Sequence, residues 1–205
     1  KLSSNGQSCT SAVKLVFIFI MVFLIMNGVP WRNQKANGND LPFYPGEKLT
    51  FELKWGFIPA GRATLEVLPV ETVNNVQVQH FVLTARTNSF VDVFYKVRER
   101  IDAYTDVGMN HSILYKEVHL VNKTRRDAAI NFDWEKDKAQ YTNLGEKNPP
   151  IALIPGSFDP LSIFYYARQL ELQENLEIER PVTDGKKCVV GKAKVVKKEK
   201  IIKKK

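Results

Sequence analysis

The sequence has little of the equipment of catalysis or metal binding. Two cysteines and three histidines are present in 205 residues. Cys9 lies before the chain's apolar run and Cys188 far beyond it, so no intrachain disulfide is expected. His80, His111 and His119 fall on different predicted strands without the short spacings of metal ligands. Each reads as a strand histidine satisfied by its neighbours, and no metal site is expected. There is no G-x-S-x-G, no H-E-x-x-H and no phosphate-cradling glycine loop. Ser157 follows Gly156, but Phe158 and Asp159 come next, so the nucleophile elbow is missing. No catalytic residue is assigned, no cofactor is expected, and the reading is of a protein that is not an enzyme.

A basic binding face is also missing. The net charge is +8, yet residues 186–205 hold ten lysines against the single acid Glu199, which leaves the rest of the chain close to neutral. Those twenty residues contain no aromatic side chain, so no stacking platform for bases exists and no nucleic-acid partner is expected.

Long hydrophobic runs are absent with one exception. Residues 15–26 (LVFIFIMVFLIM), preceded by Lys14, have the length of a signal-peptide core, about 7–15 residues. A membrane span of roughly 20 residues is reached only by borrowing neighbours across 12–31. Small residues at the −3 and −1 positions of a cleavage site are not clearly present around Gly28. Residues 1–31 therefore read as either a signal peptide or a retained anchor touching the membrane through 12–31. Because Cys9 precedes the run, a lipoprotein anchor is excluded. Export to the periplasm or cell envelope is expected, with a polar linker at 32–42, a β-rich domain at 43–202 and a lysine tail at 203–205.

Within the domain, alternation is the dominant pattern. Leu49, Phe51, Leu53 and Trp55 oppose Lys48, Thr50, Glu52 and Lys54, the two-residue period of a half-buried strand. Ala63, Leu65 and Val67 repeat it after a Gly/Pro turn. Residues 76–86 are apolar on both faces, which marks a central strand. Tyr95, Val97, Glu99, Ile101 and Ala103 alternate again, followed by strands near 113–121, 128–133 and 139–142. Strands every 8–14 residues with short polar turns predict an antiparallel meander. One helix interrupts it at about 159–172, with Asp159 as N-cap, Pro160 in the first turn, and Leu161, Phe164, Tyr165 and Arg168 on one face. That face lies on the sheet, and Arg168 is expected to pair with a sheet carboxylate and hold the helix in place. Strands near 177–181 and 187–201 follow, joined by a turn at Asp184-Gly185. The set Arg98, Glu99, Arg100 and Asp102 reads as ion pairing on a solvated surface.

The aromatics carry what functional potential the chain shows. Phe51, Trp55, Phe57, Phe132, Phe164 and Tyr165 either pack as core or line an apolar ligand cavity between sheet and helix. Under the first alternative Trp55→Ala unfolds the domain; under the second it leaves the fold intact and weakens binding.

Taken together, residues 44–67 (YPGEKLTFELKWGFIPAGRATLEV), Phe94-Tyr-Lys-Val97, Phe158-Asp-Pro-Leu-Ser-Ile-Phe-Tyr-Tyr-Ala-Arg168 and Pro181-Val-Thr-Asp-Gly-Lys186 resemble the domain-of-unknown-function 3108 (DUF3108) family of bacterial exported proteins. The resemblance spans about 43–202. It implies a strongly curved antiparallel sheet, like the half-barrel of lipoprotein carriers, in the Gram-negative envelope. It implies no enzymatic activity and brings no catalytic residues. Family members continue with further strands from a P-A-G-T-F/Y-like segment, so a truncated chain is expected. Two readings follow: a non-catalytic envelope protein binding an apolar or lipid-like ligand, or an envelope protein partner, in its concave face; or a structural module with a solid core.

Overall fold

A computed structural model describes residues 41–197. The expected apolar N-terminal helix, the linker as far as residue 40 and the lysine tract beyond 197 lie outside the described residues.

The chain forms a single open, curved antiparallel meander. Its strands are β1 (Lys48–Trp55), β2 (Ile58–Val73), β3 (Val76–Thr87), β4 (Val97–Asp106), β5 (Ser112–Val121), β6 (Thr124–Asp133) and β7 (Lys138–Asn143), each paired with the next. Two short strands, β8 (Glu146–Lys147) and β9 (Ile151–Ala152), both pair with β7. A one-turn helix α1 (Ser89–Asp92) joins β3 to β4, and helix α2 (Ser162–Gln169) follows β9. The last elements among the described residues are a separate hairpin of β10 (Glu177–Thr183) and β11 (Cys188–Lys194).

Pleating sorts the side chains into two faces. Register places Leu49, Phe51 and Leu53 of β1 beside Leu65, Ala63 and Gly61 of β2, then beside Leu83, Ala85 and Thr87 of β3. The same face continues through Ile101 and Glu99 to Glu117 and His119, then to Ala128 and Arg126. This face is concave and carries α2. Tyr165 of α2 stacks on Phe81 with centroids 3.9 Å apart, and Phe43 meets both rings edge-on at 5.3 Å. All three are buried, each contributing about 1.5–3 kcal/mol.

The final hairpin also leans on this face. Gly185 has φ +79°, and a Cβ there would lie 2.8 Å from Tyr141 and 2.9 Å from Ile130, so glycine is required at the tip. A parallel bridge between Phe158 and Val182 ties the hairpin to the segment that enters α2.

Because consecutive strands from β1 to β8 run antiparallel, their connections fall alternately at two ends of the sheet. The far end holds the β2–β3, β4–β5 and β6–β7 turns and is covered by α2. The open end holds the β1–β2, β3–β4, β5–β6 and β7–β8 connections. From Phe81, under the helix, to Ala85, toward the open end, is four residues, about 13 Å of strand.

The opposite, convex face has its own small apolar cluster. Val78, Tyr104, Ile113 and Leu114 pack together with Val73 and Trp134. His80 stacks on Tyr104 at 4.2 Å and bridges Glu71 and Asp102.

Candidate functional site

At the far end, Asp159 behaves as a structural anchor. Its Oδ1 accepts from the N–H groups of Leu161 and Ser162, both at 2.9 Å, the capping bonds expected of an N-cap carboxylate. Its Oδ2 accepts the hydroxyls of Ser112 and Ser162, each at 2.6 Å. Full burial pushes its pKa up, and these donors pull against that. The regular helix begins three residues later than the cap, after a tight turn at 160–161. Arg168 at the other end of α2 makes a bidentate pair with Glu47, just ahead of β1, at 2.6 and 3.0 Å. Its guanidinium also lies 5.6 Å from the Phe43 ring centroid and 5.4 Å from that of Tyr165.

The aromatic set divides. Phe164 and Tyr165 are buried under α2 and in contact, with centroids 5.5 Å apart. Phe132 is buried beside Trp134. Phe51 is half-buried on the concave wall of β1. Trp55 and Phe57 stand away from all of these, 78% and 91% exposed. Trp55 is the last residue of the edge strand β1 and Phe57 lies in the turn beyond it, so neither has a neighbouring strand to cover it. The register shift between Leu53 and Lys54 leaves Ala60 of β2 as the extra residue and β1 unbroken.

Toward the open end, the concave face changes character. Glu99 (β4), Glu117 and His119 (β5) and Arg126 (β6) converge on it. His119 Nδ1 bonds Glu99 Oε2, and Arg126 Nη2 donates to Glu117 Oε2, which the Tyr115 hydroxyl also approaches at 3.3 Å. Glu99 and Glu117 are only 6% and 7% exposed, while the Arg126 side chain keeps 35%. Access to the quartet therefore runs past Arg126. Burial pushes the Glu99 pKa up, with His119 pulling it back. The hydrogen bond to Glu99 raises the pKa of His119. Glu99 thus departs from the surface ion-pairing read from the sequence. Arg98 pairs with Asp92 and Arg100 with Asp102, whereas Glu99 points to the other face.

Two buried atoms of the quartet have no partner: Glu99 Oε1, an acceptor, and Arg126 Nε, a donor. An unmet acceptor and an unmet donor in one cluster are costly to keep dry, and a group offering one of each would satisfy both. Glu99, Glu117 and His119 also bring one donor atom each within 4.8 Å of the others, a spacing that suits a cation. The two carboxylates are already shared with Arg126 and the imidazole, so the charges balance among the four side chains once His119 is protonated.

The sequence carried a faint sign of this site. Glu99 falls on the same strand parity as Val97, Ile101 and Ala103, a charge on an apolar face. The cross-strand neighbours that give that charge its meaning come only with register.

With the geometry in place, comparison with known proteins adds one finding. The family model described as "Protein of unknown function (DUF3108)" matches residues 50–205. The chain belongs to the DUF3108 family. No curated protein and no solved structure matches it. The DUF3108 match covers most of the segments that carry the resemblance. The residues 44–67 block forms the β1–β2 hairpin, and residues 158–168 form the buried cap and α2. It assigns no activity to the quartet.

Proposed function

We propose that this DUF3108 domain is a non-catalytic binding protein of the cell envelope, whose concave face takes an amphiphile. The single observation that carries this reading is the orphaned acceptor–donor pair, Glu99 Oε1 and Arg126 Nε, set beside an apolar wall. Leu49, Phe51, Leu53 and Ala85, all half-buried, supply surface for an acyl chain. The quartet favours a neutral head group that both donates and accepts, such as a glyceryl hydroxyl. A fatty acid carboxylate would satisfy Arg126 but face Glu99 and Glu117 with like charge. The export signal read at residues 1–31 supports the envelope assignment.

A second reading, a structural module with a solid interior, is favoured by the tight packing of Phe81, Tyr165 and Phe43 under α2. The two readings apply to different halves of the concave face, and ligand titration separates them. Full-length protein is titrated with a fluorescent monoacylglycerol and with a fluorescent fatty acid of equal chain length. Saturable binding of the monoacylglycerol, weakened by Phe51→Asp in a protein that stays folded, is expected. Absence of binding by both probes, with no lipid co-purifying, would leave the solid-core reading standing alone.

A further inference from the structure

We propose that the open end of the sheet is a membrane-docking surface for anionic lipid bilayers. Tyr44 apart, every exposed aromatic side chain among the described residues stands there. Trp55, Phe57, Phe90, Phe94 and Tyr95 are 78%, 91%, 61%, 73% and 48% exposed. Val93 at 76% and Leu144 at 59% extend the patch. The patch is held together as one surface. Asn88, which caps α1 through Val91 N–H, donates its side-chain amide to Pro59 O at 2.6 Å and its backbone N–H to Ala60 O at 2.9 Å. These bonds fix the β3–β4 connection against the β1–β2 turn. Phe90 and Phe94 make an edge contact at 5.9 Å. A contiguous apolar surface of this kind marks an interaction site.

Charge and composition select the bilayer as occupant. Lys54, Lys96, Lys123 and Arg125 are exposed at this end. Of the acids nearby, Glu52 is engaged by Lys54, Asp92 by Arg98 and Asp127 by Arg125, while the exposed Glu146 is matched in number by its neighbour Lys147. Lys96 and Lys123 have no carboxylate partner among the described residues, leaving a positive excess around the aromatics. Aromatic rings flanked by lysines suit the headgroup layer, where the ring enters the acyl boundary and the cation meets anionic lipid. The turns of the far end hold instead Asn74, Asn75, Gly108, Asn110, Glu135, Lys136 and Asp137, with Val107, 44% exposed, the one large apolar side chain exposed in them. This surface stands on exposure and charge, independently of the ligand assigned to the concave face.

The test places a nitroxide on full-length protein with Cys9 and Cys188 replaced by Ser, at Phe57→Cys or, as control, at Asn75→Cys. Each is added to vesicles of phosphatidylglycerol and phosphatidylcholine, and collision with oxygen and with a water-soluble nickel complex gives the depth of the label. The label at 57 is expected at the headgroup–acyl boundary and the label at 75 in water. Vesicles of phosphatidylcholine alone, or Lys96→Glu with Lys123→Glu, should lift the label at 57 toward water. The proposal is overturned if both labels stay in water on anionic vesicles. It is also overturned if label 57 is already shielded before vesicles are added, through spin–spin broadening between copies or cover by the chain itself.

Discussion

The two ends of one sheet are built on opposite principles. At the far end, Asp159 is wholly buried yet accepts four hydrogen bonds, and Arg168 and Glu47 meet in a bidentate pair. There the unmet groups are the Tyr165 hydroxyl and the Gln169 amide on α2. At the open end, buried charges are left partly unmet and large aromatics are left in water. The first arrangement is what a chain does to hold itself together. The second costs stability, and the binding and docking roles proposed above would draw on it. Burial alone does not mark a site: Asp159 is more buried than Glu99 and more completely satisfied.

The largest losses of stability are expected at the far end. Asp159→Ala strands two hydroxyls and two N–H groups in a dry interior, and should lower stability by about 4 kcal/mol in urea denaturation. Arg168→Met leaves Glu47 without its partner and should cost about 3 kcal/mol in the same measurement. Both should unfold the protein before they alter any binding preference.

The pH response sharpens the contrast. His119 is raised above its ordinary value by Glu99, so its contribution is fully present below the unfolded value of 6.5. It is lost as pH rises through the higher folded value. The buried Glu99, also raised, acts in the same direction at lower pH. Stability followed by thermal unfolding should therefore fall from pH 6 upward through the titration of His119, and His119→Gln should flatten that fall.

The smallest effect belongs to the exposed aromatics. Trp55→Ser and Phe57→Ser should each change stability by less than about 0.5 kcal/mol, since neither side chain leaves water on folding. A loss of several kcal/mol would mean that these rings are structural after all.

Much of this was legible in the sequence, and for clear reasons. Alternation marked β1 to β7, because a half-buried strand writes its two faces into successive residues. Asp159-Pro160 marked the start of the helical segment, because capping is local. The division of the aromatics was hidden because Trp55 shares the parity of Leu49, Phe51 and Leu53 yet ends an edge strand, and which strand is the edge comes only with topology. The two-residue strands β8 and β9 and the one-turn helix α1 are too short to leave a period. The quartet was hidden for a different reason. Its members come from three strands, and nothing in a linear spacing reports that Glu99 sits opposite His119 or that His119 sits opposite Arg126.

The central claim is that the unmet pair at the open end selects a donor-and-acceptor head group. Its most direct test is the ratio of dissociation constants for fatty acid and monoacylglycerol, measured by fluorescence titration in the wild type and in Glu99→Gln. The substitution keeps the shape of the side chain and offers a donor where Oε1 only accepted. The account predicts a preference for monoacylglycerol of about tenfold or more, equivalent to one charged hydrogen bond, and its loss or reversal in Glu99→Gln. An unchanged ratio in a folded variant would contradict it.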